Sequence, residues 1–158
     1  MERKITVNDL MTKDVISVHP SDSVVDAARI IAEHSFDGVP VVDNEKKLVG
    51  IVTEYDLITK GPAIHLPTFQ YLLQHLPVIS QDKKGYQGDV QAVLNLKVID
   101  VMNADPLTLS KDATYEEVVS AFRDHHRVNP IPVIDKERHV VGVISRFDVL
   151  KPLQFVGK

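Results

Sequence analysis

Gly50-Ile51-Val52-Thr53-Glu54-Tyr55-Asp56-Leu57 returns as Gly142-Val143-Ile144-Ser145-Arg146-Phe147-Asp148-Val149, with Gly142 standing 92 positions after Gly50. Each octapeptide runs from a glycine through β-branched residues to a hydroxyl residue, and a carboxylate follows three positions on. Outward from this pair, the same offset carries Val39-Pro40-Val41-Val42-Asp43 onto Ile131-Pro132-Val133-Ile134-Asp135. Nearer the N-terminus the offset is 91: Asp9-Leu10-Met11 matches Asp100-Val101-Met102, and Asp14-Val15-Ile16-Ser17-Val18 matches Asp105-Pro106-Leu107-Thr108-Leu109. Matches in this order over so many segments mark an internal duplication. They divide the chain into residues 1–60, an insert 61–98, and residues 99–158.

Each copy reads strand, helix, strand, strand, helix, an α+β class with α/β-like order. Ile16 to Val18 is expected as a short strand closed by His19-Pro20. Ser23 then stands as an N-cap, and Ala27, Ile30, Ile31 and His34 continue one helical face. The second copy carries Thr114-Tyr115-Glu116-Glu117, the form of a capping box, ahead of the stripe Val118, Ala121, Phe122. Val39–Val42 and Leu48–Val52 are β-branched runs joined by the polar turn Asp43 to Lys47, which reads as a hairpin. In the insert, Phe69, Leu72, Leu73 and Leu76 recur at helical spacing until Pro77, and a polar loop is expected from Ser80 to Gly88.

The composition restricts the functional classes. The 158 residues are 44% hydrophobic and 25% charged, which is ordinary for a globular chain. With no cysteine, disulfides, thiolate metal sites and a cysteine nucleophile are excluded. The formal net charge of −4 speaks against a general nucleic-acid binder, since phosphate neutralisation needs a basic surface. No apolar run approaches the ~18 residues of a membrane span, so a cytoplasmic location is the default expectation.

Two copies ending in Gly-x-x-Thr/Ser-x-x-Asp, each preceded by a Pro-Val-Val/Ile-Asp strand, resemble a tandem cystathionine-β-synthase (CBS) domain pair, or Bateman module. The resemblance covers nearly the whole chain except the insert and both ends. It implies two motifs packed about a pseudo-two-fold axis, a tendency to form homodimers, and clefts that bind AMP, ADP, ATP or S-adenosylmethionine. It implies further that Asp56 and Asp148 hold ribose, and that Thr53 and Ser145 hold ribose or phosphate. The adenine pocket of the family falls on Val15, Ile16, Gly38, Val39 and Pro40 in one copy, and on Pro106, Leu107, Asn129, Ile131 and Pro132 in the other. The expected role is regulatory, with signalling through a dimer or an unidentified protein partner.

The residues themselves allow a plainer alternative. A strand that ends at a hydroxyl before a helix leaves backbone N–H groups and the helix dipole facing one point, which suits a phosphate. Thr-x-x-Asp and Ser-x-x-Asp are also close to a capping box that requires no ligand. An enzyme using Asp56, Asp148 and histidines is a third reading, but acid and base roles require different environments, whereas these carboxylates are duplicated symmetrically. A purely structural dimerisation module with empty clefts is the remaining alternative. His125 and His126 lack a third ligand at a fitting spacing for a metal.

The copies differ in charge near the expected phosphate position. The second offers His125, His126, Arg127 and Arg146, where the first offers Ser35, Phe36, Asp37 and Glu54. Arginine suits phosphate through charge-assisted bidentate bonds, so anionic nucleotides are expected to prefer the cleft of Ser145 and Asp148. The alternative is that phosphates lean toward the opposite copy, in which case His126 and Arg127 serve the first cleft.

Overall fold

The computed structural model describes residues 4–59 and 94–156. The expected insert helix through Phe69, Leu72, Leu73 and Leu76 and the loop from Ser80 lie outside the described residues. The first copy holds α1 (Val7–Leu10), α2 (Val24–His34), β1 (Gly38–Val42), β2 (Leu48–Thr53) and α3 (Glu54–Thr59). In the second are α4 (Val98–Val101), β3 (Leu109–Ser110), α5 (Tyr115–Asp124), β4 (Ile131–Ile134), β5 (Val140–Ile144) and α6 (Arg146–Leu150), followed by a 3-10 turn at Lys151–Phe155. The fold is α+β, two repeats of one plan.

Local chemistry sets the boundaries. The Ser23 side chain accepts from the Asp26 N–H at 3.0 Å and starts α2, and Thr114 and Glu117 exchange capping bonds at the start of α5. Both hairpins are antiparallel, from Gly38↔Thr53 to Val42↔Leu48 and from Ile131↔Ile144 to Ile134↔Val140. Asp43 and Asp135 close the two turns alike, each accepting two backbone N–H bonds between 2.9 and 3.0 Å. The strand expected at Ile16–Val18 is reduced to one parallel bridge, Val18 to Val41, whereas its counterpart β3 pairs with β4 over Leu109 and Ser110. Pro20 supplies no N–H to extend the ladder, and Asp22 takes the His19 N–H at 2.7 Å to turn the chain.

The repeats are not packed as they are read along the chain. Val7, Leu10 and Met11 of the first repeat are buried with Val118, Phe122, Ile131, Val133 and Ile144 of the second. Conversely, Val98 and Val101 close the core formed by Val24, Ala27, Ile31, Val39 and Val52. Matched backbone bonds secure the crossing: Thr12 and Val143 exchange N–H···O bonds at 2.9 and 3.0 Å, and so do Asn103 and Ile51. Gly50 and Gly142 make room for it. A Cβ on Gly50 would sit 2.8 Å from both the Asn103 carbonyl and the Met102 sulfur, and one on Gly142 would meet the Met11 sulfur.

Candidate ligand clefts between the repeats

Two clefts open at equivalent positions on either side of the pseudo-axis. One, of about 240 Å³, has Ile51, Thr53, Tyr55 and Asp56 on its first-repeat wall; Asn103, Pro106, Leu107, Arg127, Val128, Asn129 and Pro130 face them from the second. The other, of about 280 Å³, reverses the contributions. Val143, Ser145, Phe147 and Asp148 face Thr12, Asp14, Ile16, Ser35, Phe36, Asp37, Gly38 and Pro40, with Pro130 also on the wall. These volumes are at the lower edge of small-molecule sites, roughly 300–1,000 Å³. We call them the first and second cleft.

The carboxylates at the centre of each cleft are among the most buried polar groups, with Asp56 5% and Asp148 7% exposed. Each is fixed by the start of its own helix. Asp56 Oδ2 accepts from the Thr53 N–H at 3.1 Å and from the Thr53 hydroxyl at 2.9 Å, and the Asp56 N–H donates back to that hydroxyl at 3.1 Å. Asp148 Oδ2 accepts likewise from the Ser145 N–H at 2.7 Å and hydroxyl at 3.1 Å. The capping box anticipated as the plainer alternative is therefore formed in both copies. The next amides are occupied as well: the Glu54 N–H donates to the Asp37 carbonyl at 3.0 Å and the Arg146 N–H to Asn129 Oδ1 at 3.1 Å. This narrows the expectation of free N–H groups at the helix starts, because the N–H groups of Thr53, Glu54, Asp56, Ser145, Arg146 and Asp148 already have acceptors within the chain.

One family model, the CBS domain, matches this chain at residues 7–62 and again at 98–154. The chain belongs to the CBS-domain family. Inosine-5'-monophosphate dehydrogenase of Methanocaldococcus jannaschii is 33% identical over 144 residues, covering 91% of this chain and 23% of that protein. The chloroplastic CBS domain-containing protein CBSX1 of Arabidopsis thaliana is 28% identical over 152 residues, covering 92% and 63%. This chain thus spans less than a quarter of the dehydrogenase and under two-thirds of CBSX1. Among solved structures, CBSX2 from Arabidopsis thaliana superposes with a TM-score of 0.71 at 26% identity over 96% of each chain. A crystal structure of CBSX2 in complex with AMP gives a TM-score of 0.70 at 26% identity, covering 97% of this chain and 99% of that one.

Within the CBS pair, the candidate residues sort differently from their order in the chain. Ile16, Gly38 and Pro40 line the second cleft opposite Ser145 and Asp148, whereas Leu107, Arg127 and Asn129 line the first opposite Thr53 and Asp56. Val39 and Ile131 are fully buried in the core and Pro132 is buried on β4, so their side chains belong to the strands and not to a cleft wall. Arg146 is also displaced from the expected place. Its guanidinium donates to the His126 carbonyl and lies 5.8 Å from the Phe122 ring centroid, so neither Arg146 nor His126 lines a cleft. The charge argument that favoured the second cleft loses its arginine.

The contacts of several site residues were not legible from the sequence. Asn129, expected only as part of the adenine pocket, meets Asp37 across the pseudo-axis, its Nδ2 donating to Asp37 Oδ2 at 2.6 Å. Overlaying the repeats pairs the two positions, Asp37 directly before β1 and Asn129 two residues before the start of β4. Tyr55 was hidden by its exposed helical position; its hydroxyl accepts from Arg127 at 3.0 Å, and the guanidinium stands 5.6 Å from its ring centroid. Lys151 is the third, with Nζ 2.6 Å from Asp148 Oδ1 and 2.9 Å from the Leu10 carbonyl. Burial is the largest cause raising the Glu54 carboxyl above its ordinary value, and nearby Asp37 and Asp56 add to it. Among the described residues no cluster of three or more His, Asp or Glu could hold a metal, and no helix is long and apolar enough to cross a membrane.

Proposed function

We propose that this CBS pair is a regulatory ligand-binding module that takes an adenine nucleotide, AMP, ADP or ATP, between its repeats and passes occupancy to a second copy or another protein. The observation that carries the reading is the construction of the clefts. In each, a buried carboxylate at a helix start faces a wall of mixed apolar and polar residues from the opposite repeat, so one ligand with a flat apolar end and a diol would touch both repeats at once. On this reading Asp56 and Asp148 take ribose hydroxyls, and Ile16 in one cleft and Leu107 with Pro106 in the other receive the base. The likeness to CBSX2, which has been crystallised with AMP, supports the same ligand class. S-adenosylmethionine is the competing adenosyl ligand.

A ligand that bridges the repeats would stabilise their mutual orientation, and the orientation is the signal. The exposed apolar residues Phe147, Leu150, Leu153 and Val156 at the end of the second repeat give a second copy a surface to read. Thermal unfolding with AMP, ADP, ATP, S-adenosylmethionine and GTP tests the reading, since a ligand at 100 times its Kd adds about 2.7 kcal/mol. A rise with adenine compounds and none with GTP is expected. The satisfied capping boxes favour a second reading, a dimerisation module whose clefts hold nothing, and absence of any shift would establish that one instead.

A further inference from the structure

Lys151 stands where three parts of the fold meet. It follows α6 directly and opens the 3-10 turn Lys151–Phe155, three positions after Asp148 and so beside it on the helix surface. Its Nζ lies 2.6 Å from Asp148 Oδ1 and donates to the Leu10 carbonyl at 2.9 Å. Leu10 ends α1, the segment that the N-terminus contributes to this core. A carbonyl in the last turn of a helix has no N–H within that helix to accept from, and an ammonium group is a favourable partner for it. One side chain therefore ties the cleft aspartate, the end of α1 and the C-terminal turn together.

The acceptor positions of Asp148 decide what this tie does. A carboxylate offers about four, two on each oxygen. Oδ2 accepts from the Ser145 N–H and from the Ser145 hydroxyl, which fills it, and Oδ1 has given one position to Lys151. One position is left, whereas a diol that donates both hydroxyls needs two. The Ser145 bonds hold the start of α6, so the ammonium group is the occupant that yields. The contact suits such an exchange, because the Asp148 side chain is 10% exposed and that of Lys151 45%, which lets a released ammonium pass straight into water. The turn it leaves behind is lightly held, with Leu153 and Val156 both more than half exposed.

Resting on the adenosyl reading above, we propose that Lys151 is an internal competitor for the second cleft: its ammonium group holds the place of a ribose hydroxyl on Asp148, and a ligand that drives it off unties the C-terminal turn from α1. Occupancy of the cleft is thereby converted into loosening of the turn. By linkage the effect is reciprocal, so whatever draws the turn away from α1 raises the affinity of the cleft by the same factor. An ion pair open to water at one end sets that factor at roughly 5-fold.

Calorimetric titration with adenosine tests this on the full chain, using the wild type, Lys151→Met and Lys151→Arg, each verified as folded by circular dichroism. Lys151→Met, which keeps the stem and removes the charge, is expected to bind adenosine roughly 5-fold more tightly, and Lys151→Arg to stay near the wild type. In an Asp148→Asn background Lys151→Met should change nothing, which ties the gain to that carboxylate. Hydrogen exchange of the wild type needs no variant: saturating adenosine should speed exchange of the backbone amides of residues 153–156. Unchanged or weaker binding in Lys151→Met, an equal gain without Asp148, or turn amides that adenosine slows or leaves unchanged overturns the competitor while leaving adenosyl binding intact. Adenosine bound by Lys151→Met alone supports both readings. No binding to either protein overturns the adenosyl reading, and the competitor with it.

Discussion

Replacing Leu10 by alanine removes a side chain that the first repeat contributes to the core of the second. Leu10 is nearly fully buried, and α1 lies against β5. Leu→Ala in a core costs about 2–5 kcal/mol; because α1 is a single turn that can settle into the space, about 3 kcal/mol is expected. For a chain of this length that corresponds to a fall in Tm of about 6–12 °C. The assay is urea unfolding followed by circular dichroism, run as two double-mutant cycles. Leu10→Ala is combined with Ile144→Ala on β5, in the same core, and separately with Val52→Ala at the matched position on β2, in the other. The first pair should couple by about 1 kcal/mol and the second should be additive within about 0.3–0.5 kcal/mol. Coupling to Val52 and additivity with Ile144 would refute the crossed core.

The same crossing predicts that residues 1–60 and 99–158, expressed separately, do not fold as independent monomers: one lacks Val98 and Val101, the other Val7, Leu10 and Met11. Two cooperatively unfolding halves would contradict it. Thr114→Ala should cost about 1 kcal/mol in urea unfolding through loss of the α5 capping box, and an unchanged midpoint would deny that cap a role. Glu54 gives a pH dependence. Its carboxyl is raised above its ordinary 4.5, chiefly by burial, so the native state holds the proton more tightly than the unfolded chain does. The associated stability is present below that ordinary value and is lost as pH rises through the raised one. Glu54→Gln should therefore show a smaller decline in urea midpoint from about pH 4.5 upward, and identical pH slopes would count against the raised carboxyl. Leu150→Ser with Leu153→Ser should shift a dimeric wild type toward monomer in sedimentation; a monomeric wild type removes the second-copy partner.

Much of the fold was legible because the duplication repeats its punctuation: the Ser23 and Thr114 caps, the Asp43 and Asp135 turns and the glycine before each Thr/Ser-x-x-Asp all have local causes. What the chain order concealed was the partnering. Asp9-Leu10-Met11 reads as the start of the first repeat and is packed as part of the second, since hydrophobic pattern identifies a buried face but not its partner. The site shows the same division. Asp56 and Asp148 were visible from the motif, whereas the sorting of Leu107 and Arg127 with Thr53, and of Ile16 and Pro40 with Ser145, follows from the crossing alone. Arg146 misled because adjacency to Ser145 in sequence says nothing about side-chain direction; its guanidinium turns back onto Phe122 and the His126 carbonyl. Lys151, three residues after Asp148, was detectable as an i,i+3 pair.

The most direct test of the central claim is a crystal structure of this chain grown with AMP. The account predicts the nucleotide in a cleft between the repeats, its ribose on Asp56 or Asp148 and its base against the wall of the opposite repeat. AMP bound outside both clefts, or clefts left empty at saturating AMP, would contradict it.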